Sequence, residues 1–364
     1  MRLLSPLAVL PLMVATDSTR PTVLTPAPAL VAPFTAAAEP ASRPAVVTVD
    51  TDTVAITEWT VPWERSRPRD PYFDARTGDV WFVGQVGNYV GRLNPKTGQF
   101  RRYELEDRAL PHNLIVDADG TVWYAGNGNG HIGKMDPATG KVTRYAMPDS
   151  TVRDPHTLVV GKDGNLWFTA QRSGVVGRLD KGTGQVRVVK VGSGGRTLPY
   201  GIEIDSKGRA WVNEFGTNRI AVIEPATLAV REYELPDAAA RSRRIVVMPD
   251  DMVWYVDYAR GFLGRLDPAS GKVEEFALPG GAQSRPYAMV KDDRGRIWAV
   301  ETGVSPNRLV GFDPKTRAVF SVTPIRSGTN AAGANTVRHM MYHAPTREIW
   351  FGTDANTIGR AVVP

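Results

Sequence analysis

The chain has 364 residues, 42% apolar and 23% charged, and a net charge of +6, the balance of an ordinary globular protein. Its 44 Lys and Arg are scattered rather than run together, so nucleic acid is set aside as a partner. The absence of cysteine excludes disulfides, thiolate metal sites and a lipoprotein anchor.

Met1-Arg2 followed by the apolar run Leu3 to Ala15 reads as an export signal, residues 1–15, with cleavage as late as Ala38. Residues 16–53 are rich in Pro, Ala, Val and Thr without periodicity and read as a linker. The folded part is expected over 54–364. No later segment reaches the 18 or so consecutive apolar residues of a membrane span. An exported, periplasmic, monomeric protein is expected.

From Trp81 onward one phrase recurs. Trp81, Trp123, Trp167, Trp211, Trp254, Trp298 and Trp350 are spaced by 42, 44, 44, 43, 44 and 52 residues, the period of a four-stranded propeller blade. Within each period, alternating runs such as NLIVDADGTVWYA flank Asp-Gly, which predicts a two-residue hairpin turn. A "VGRL"-type strand and a "DPATG"-type turn follow, with Pro presetting the second turn position. A run such as KVTRYAMP then closes the copy. The last copy stops after NTIGRAVVP, and AITEWTVP at Ala55 to Pro62 matches the missing fourth strand. The fold class predicted is therefore all-β, a seven-bladed propeller whose last blade is closed by the N-terminal strand, about residues 55–62. The tryptophans are read as packing between blades.

A two-residue turn would place the residue eleven before each Trp opposite the residue four after it, at one mouth of the channel. Those positions are His112, His156, Tyr200, Arg243, Tyr287 and His339, with Arg69 taking the place in the first copy, where the hairpin is one residue longer. Opposite them stand Asn127, Gln171, Tyr258, Thr302 and Asp354. Such a ring makes a polar binding site for a small molecule or cyclic peptide. Mg²⁺ takes oxygen ligands, and Asp154 with Gln171 would supply a carboxylate and an amide. His343, in RHMMYH, aligns with Val116, Val160 and Ile204 and is read as a packed residue.

The "PH" or "PY" that opens a strand, the "LWFT" that ends the next, "IG+L" and a final "YxLP" resemble the virginiamycin B lyase (streptogramin lyase) family over residues 54–364. The resemblance implies a lyase that opens a cyclic depsipeptide at a C–O bond by Mg²⁺-assisted elimination. It implies His339 as the general base and Asp354 as orienting or metal carboxylate, with Arg69, His112, His156, Tyr200, Arg243 and Tyr287 as substrate contacts. Val337 departs from the first metal carboxylate of that pattern, and Tyr287 from a histidine. The blade of Asp154, Pro155 and His156, with His112 one blade before, repeats the acid-Pro-His text in a rotated register. Two other readings stand beside it. One is a non-catalytic propeller binding a peptide, sugar or protein at the mouth. The other is a propeller lactonase using Ca²⁺ on Asn213, Glu214, Asp257 and Glu301.

Overall fold

The computed structural model describes residues 54–364 except 193–194 and 328–335. The segments read as signal (1–15, cleavage to 38) and linker (16–53) lie outside the described residues. Seven antiparallel sheets of four strands succeed one another along the chain. Blades 1 to 6 occupy residues 68–104, 111–146, 155–190, 199–234, 242–277 and 286–325. Blade 7 is made of residues 337–362 and the strand Ala55–Thr60, which pairs with Thr357–Val362. The innermost strand of each blade touches that of the next, and Pro68–Asp74 of blade 1 touches Val337–His343 of blade 7, so the ring closes.

Closure depends on a few groups. Trp59 stacks on Trp350 with ring centroids 5.6 Å apart. The Val61 N–H donates to the Asn356 carbonyl at 2.9 Å, and the Asn356 side-chain amide donates to the carbonyls of Val61 and Trp63. An all-β sheet end that would otherwise be unpaired is thereby covered.

Each repeated tryptophan lies between its own blade and the following one. Trp123 packs with Leu158 and Phe168, Trp254 with Met289 and Phe312, and Trp350 with Phe82 and Leu93. The glycine of the "VGRL" strand is set by the residue after the tryptophan. A Cβ on Gly177 would lie 2.0 Å from the Phe168 ring, and one on Gly133 2.1 Å from Tyr124. In blade 4 Val212 stands in place of the aromatic, and its cross-strand partner is Ala221 instead of glycine. The repeat motif is thus a volume constraint on the third strand.

The inner hairpins correct the expected register. In blades 2 to 6 the turn holds three residues: in blade 2 the Asp117 N–H donates to the Thr121 carbonyl, and Gly120 between them has φ +87°. A bulge then follows in the inner strand of every blade. In blade 2, Pro111 pairs with Gly126 and Leu114 with Tyr124, so His112 and Asn113 together oppose one residue. The residues paired with Pro111 and its equivalents therefore stand three after each Trp, not four. Bulges of this kind re-aim side chains, and here the second residues of several blades meet one another, Asp70 with Asn113 and Arg244 with Thr157.

Candidate functional site

Blade by blade, the residue just after the first paired position of the inner strand is Arg69, itself paired with Val83, then His112, His156, Tyr200, Arg243, Tyr287 and Arg338. The next residues are Asp70, Asn113, Thr157, Gly201, Arg244, Ala288 and His339. This corrects one member of the expected ring. His343 pairs with Glu348 across a four-residue turn, Ala344 to Arg347, as Asp74 pairs with Asp79 in blade 1. The longer turn puts Arg338 in the first tier and His339 in the second.

The first tier converges. The His112 and His156 rings lie 3.5 Å apart between centroids, and His156 and Tyr200 lie 4.2 Å apart. The Tyr200 hydroxyl is hydrogen-bonded to that of Tyr287. Arg243 sits in an aromatic cage, its guanidinium 3.6 Å from the Tyr287 ring centroid, 4.4 Å from Tyr258 and 4.5 Å from Phe215. Arg69 donates to Gln85 Oε1 at 2.8 Å and to Asp70 at 3.2 Å.

Arg244, which the sequence reading did not single out, ties the second tier together. It donates to Thr157 Oγ1 of blade 3 and to the Arg338 carbonyl of blade 7, each at 3.1 Å, and stands 3.9 Å from Asp70 of blade 1. Asp70 also accepts from the Asn113 amide at 2.9 Å. The Arg-Arg pair at 243 and 244, one residue per tier, was the only signal for it.

Burial and neighbouring cations depress the basicity of all three histidines. Burial, then Arg69, the partner His156 and Arg244, hold His112 well below the usual value. Burial, then Arg244, Arg69 and Arg243, do the same for His156. His339 falls to about 4 through burial and Arg244, with Asp70 opposing. Its Nδ1 is buried with no hydrogen-bond partner. For Tyr287, burial disfavours ionisation, but Arg243, Arg69, Arg338 and Arg244 together outweigh it and lower the phenol to about 8.

Arg69, His112, His156 and Tyr200 fill the channel and are nearly inaccessible. Space opens to one side, in a cavity of about 190 Å³ lined by Arg243, Tyr258, Arg285, Tyr287, Thr302 and Arg338 among others. Of the sequence-predicted residues, Arg243, Tyr258, Tyr287 and Thr302 reach it. Arg285 and Arg338 were missed.

The carboxylates have other partners. Asp354 is bound by the Arg338 fork, with Nε at 3.1 Å, and lies 3.9 Å from Arg67. Asp154 accepts from the Arg172 N–H at 2.5 Å and from the Ser173 N–H and hydroxyl. Asp257 caps the N–H groups of Arg241, Ala259 and Arg260, and Glu301 binds the Gly280 N–H and Arg308. Glu214 is raised to about 8 by burial and by Glu232. Among the described residues, no three His, Cys, Asp or Glu side chains are gathered as a metal ion would require. Of the two donor sets expected for Mg²⁺, Asp354 in blade 7 is held by Arg338, and Asp154, expected to act with Gln171 at blade 3, accepts from Arg172 and Ser173, so each carboxylate already has partners. The Ca²⁺ cluster of the lactonase reading is likewise not assembled among the described residues.

The fold and this mouth define a seven-bladed propeller with an arginine- and tyrosine-lined pocket at one end of its channel. The chain belongs to the virginiamycin B lyase family, whose model matches residues 12–309. Its fold is similar to that of virginiamycin B lyase from Staphylococcus aureus, at a TM-score of 0.75 and 22% identity, covering 85% of this chain and 99% of that one. A streptogramin B lyase structure gives 0.74 and 23%, covering 84% and 97%. The extracellular domain of BT4673 from B. thetaiotaomicron gives 0.64 and 17%, covering 85% of this chain and 43% of that one. No curated protein matches the chain. Among the described residues, no helix is long and apolar enough to cross a membrane.

Proposed function

We propose that the protein is a carbon–oxygen lyase that opens an ester by β-elimination at this cavity, with Tyr287 as the base. The observation that carries the reading is the placement of Tyr287 on the cavity wall against Arg243, with Arg338 beside it. A phenol lowered to about 8 is partly phenolate near neutral pH, the condition a general base needs. The phenolate takes the proton from the carbon α to a carbonyl. That electron pair forms the α,β double bond, the β C–O bond breaks, and the carboxylate leaves without needing a proton. Negative charge developing on the carbonyl oxygen meets the guanidiniums of Arg243 and Arg338. His339 and Asp354, the base and metal carboxylate expected from the sequence, take other parts here: His339 stays neutral in the second tier, and Asp354 fixes the Arg338 fork. Mg²⁺ has no step in this route.

Mass spectrometry of a streptogramin B and a panel of simpler cyclic esters, incubated with and without EDTA, tests the reading. A ring-opened product of unchanged mass is expected, with a loss of about 10²–10⁴-fold in Tyr287→Phe. A gain of one water means hydrolysis. Activity that survives Tyr287→Phe and disappears in His339→Ala returns the base to His339. A second reading, a binding propeller without chemistry, is favoured by one observation: the acids near the mouth are spent on loop capping and ion pairs. Intact substrate throughout the panel would select it.

A further inference from the structure

The charges around the cavity are unbalanced. Three guanidiniums line it, Arg243 from blade 5, Arg285 ahead of blade 6 and Arg338 from blade 7. One carboxylate, Asp354, answers them, and it is shared between Arg338 and Arg67. Among the described residues neither Arg243 nor Arg285 has a carboxylate within ion-pair distance. Arg243 Nε is buried with no hydrogen-bond partner. The rings of Phe215, Tyr258 and Tyr287 surround that guanidinium, which has the Tyr200 hydroxyl as a side-chain partner and no carboxylate among the described residues. A buried donor left unmatched costs stability, and a planar guanidinium matches a planar carboxylate in a two-point contact.

We infer that the cavity is a carboxylate subsite: it takes the acidic group of a small organic acid on Arg243 and Arg338, with Arg285 at the lip. The geometry already shows this recognition once, because Arg338 holds the Asp354 carboxylate through two nitrogens. A volume of about 190 Å³ is smaller than a full ligand pocket, so it admits the acidic end of a ligand whose remainder extends outward. This names the substrate class for the site above and rests on that reading of the cavity as the working face; the ester preferred there is one that carries a free carboxylate, ahead of a neutral depsipeptide.

Calorimetric titration of the full chain with succinate, succinamide and inorganic phosphate tests it. Saturable succinate binding that weakens with added salt is expected, with succinamide silent. Arg243→Ala should weaken succinate at least about tenfold, the worth of a charged hydrogen bond. Arg285→Ala, at an exposed position, should weaken it less and leave folding intact. No saturable succinate binding, equal binding of succinamide, or tighter phosphate than succinate would each overturn the carboxylate subsite. Succinate binding without elimination on any ester removes the lyase reading alone. Elimination without succinate binding removes this inference alone.

Discussion

The guanidinium of Arg243 stands 3.6 Å from the centre of the Tyr287 ring, and the Tyr287 hydroxyl is bonded to that of Tyr200. Burial disfavours the Tyr287 phenolate, but Arg243 with Arg69, Arg338 and Arg244 outweighs it, so one tyrosine is expected to ionise near 8, ahead of the ordinary value of about 10. Ultraviolet difference titration of the folded protein checks this. The early step should vanish in Tyr287→Phe and move upward in Arg243→Ala. A wild-type curve with no step below about 9 counts against it.

The histidines give acid sensitivity with a definite sign. His112, His156 and His339 are all less basic in the fold than in the unfolded chain, where histidine titrates near about 6.5. On acidification the unfolded chain binds these protons first. The stability they contribute is complete above the ordinary histidine value and is lost as the pH falls, for His339 through about 4. Replacing His339 by Gln, between Arg244, Arg69 and Asp70, should flatten the acid limb of Tm against pH. An unchanged slope would contradict the account.

Two blades anchor the tryptophan through a buried acid. Asp292 accepts from Trp298 Nε1 at 3.0 Å and from Arg296 Nε at 2.7 Å, and Asp205 does the same for Trp211 and Arg209. In blades 1, 2 and 7 the indole nitrogens of Trp81, Trp123 and Trp350 are buried without a partner. Asp292→Ala should cost about 1–3 kcal/mol, since it leaves the buried Trp298 indole N–H unmatched and removes the ion pair of the partly exposed Arg296. Urea unfolding measures it, and a loss under about 1 kcal/mol would show that Asp292 is not anchoring the blade.

Ring closure has its own test. Trp59→Ala removes the stack on Trp350 at a half-buried position and should cost roughly 2–3 kcal/mol in urea unfolding. Deleting residues 55–60 exposes the edge Thr357–Val362, so self-association should appear by size-exclusion chromatography. A monomeric, equally stable deletion would refute the closure.

The blade count and the borrowed strand were readable because they depend on local spacing. A tryptophan at a fixed strand position needs the same neighbours in every copy, and the chain repeats them. The mouth was half readable. Arg69, His112, His156, Tyr200, Arg243 and Tyr287 do converge, but His339 was assigned one residue out of register. HAPTREIW has the same four-residue turn as DARTGDVW, a signal present in the text and used for blade 1 only.

The sequence by itself determined the ring: period, alternation and turn residues are short-range properties, and seven similar sectors have one way to close. Only the tertiary structure decided the chemistry of the mouth. The bulges bring residues such as Asp70, Asn113 and Arg244 together, Arg244 spans to blades 1, 3 and 7, and Arg338 pairs with Asp354. Those outcomes depend on distances between groups far apart in the chain, and electrostatic energies at such distances have no trace in local pattern.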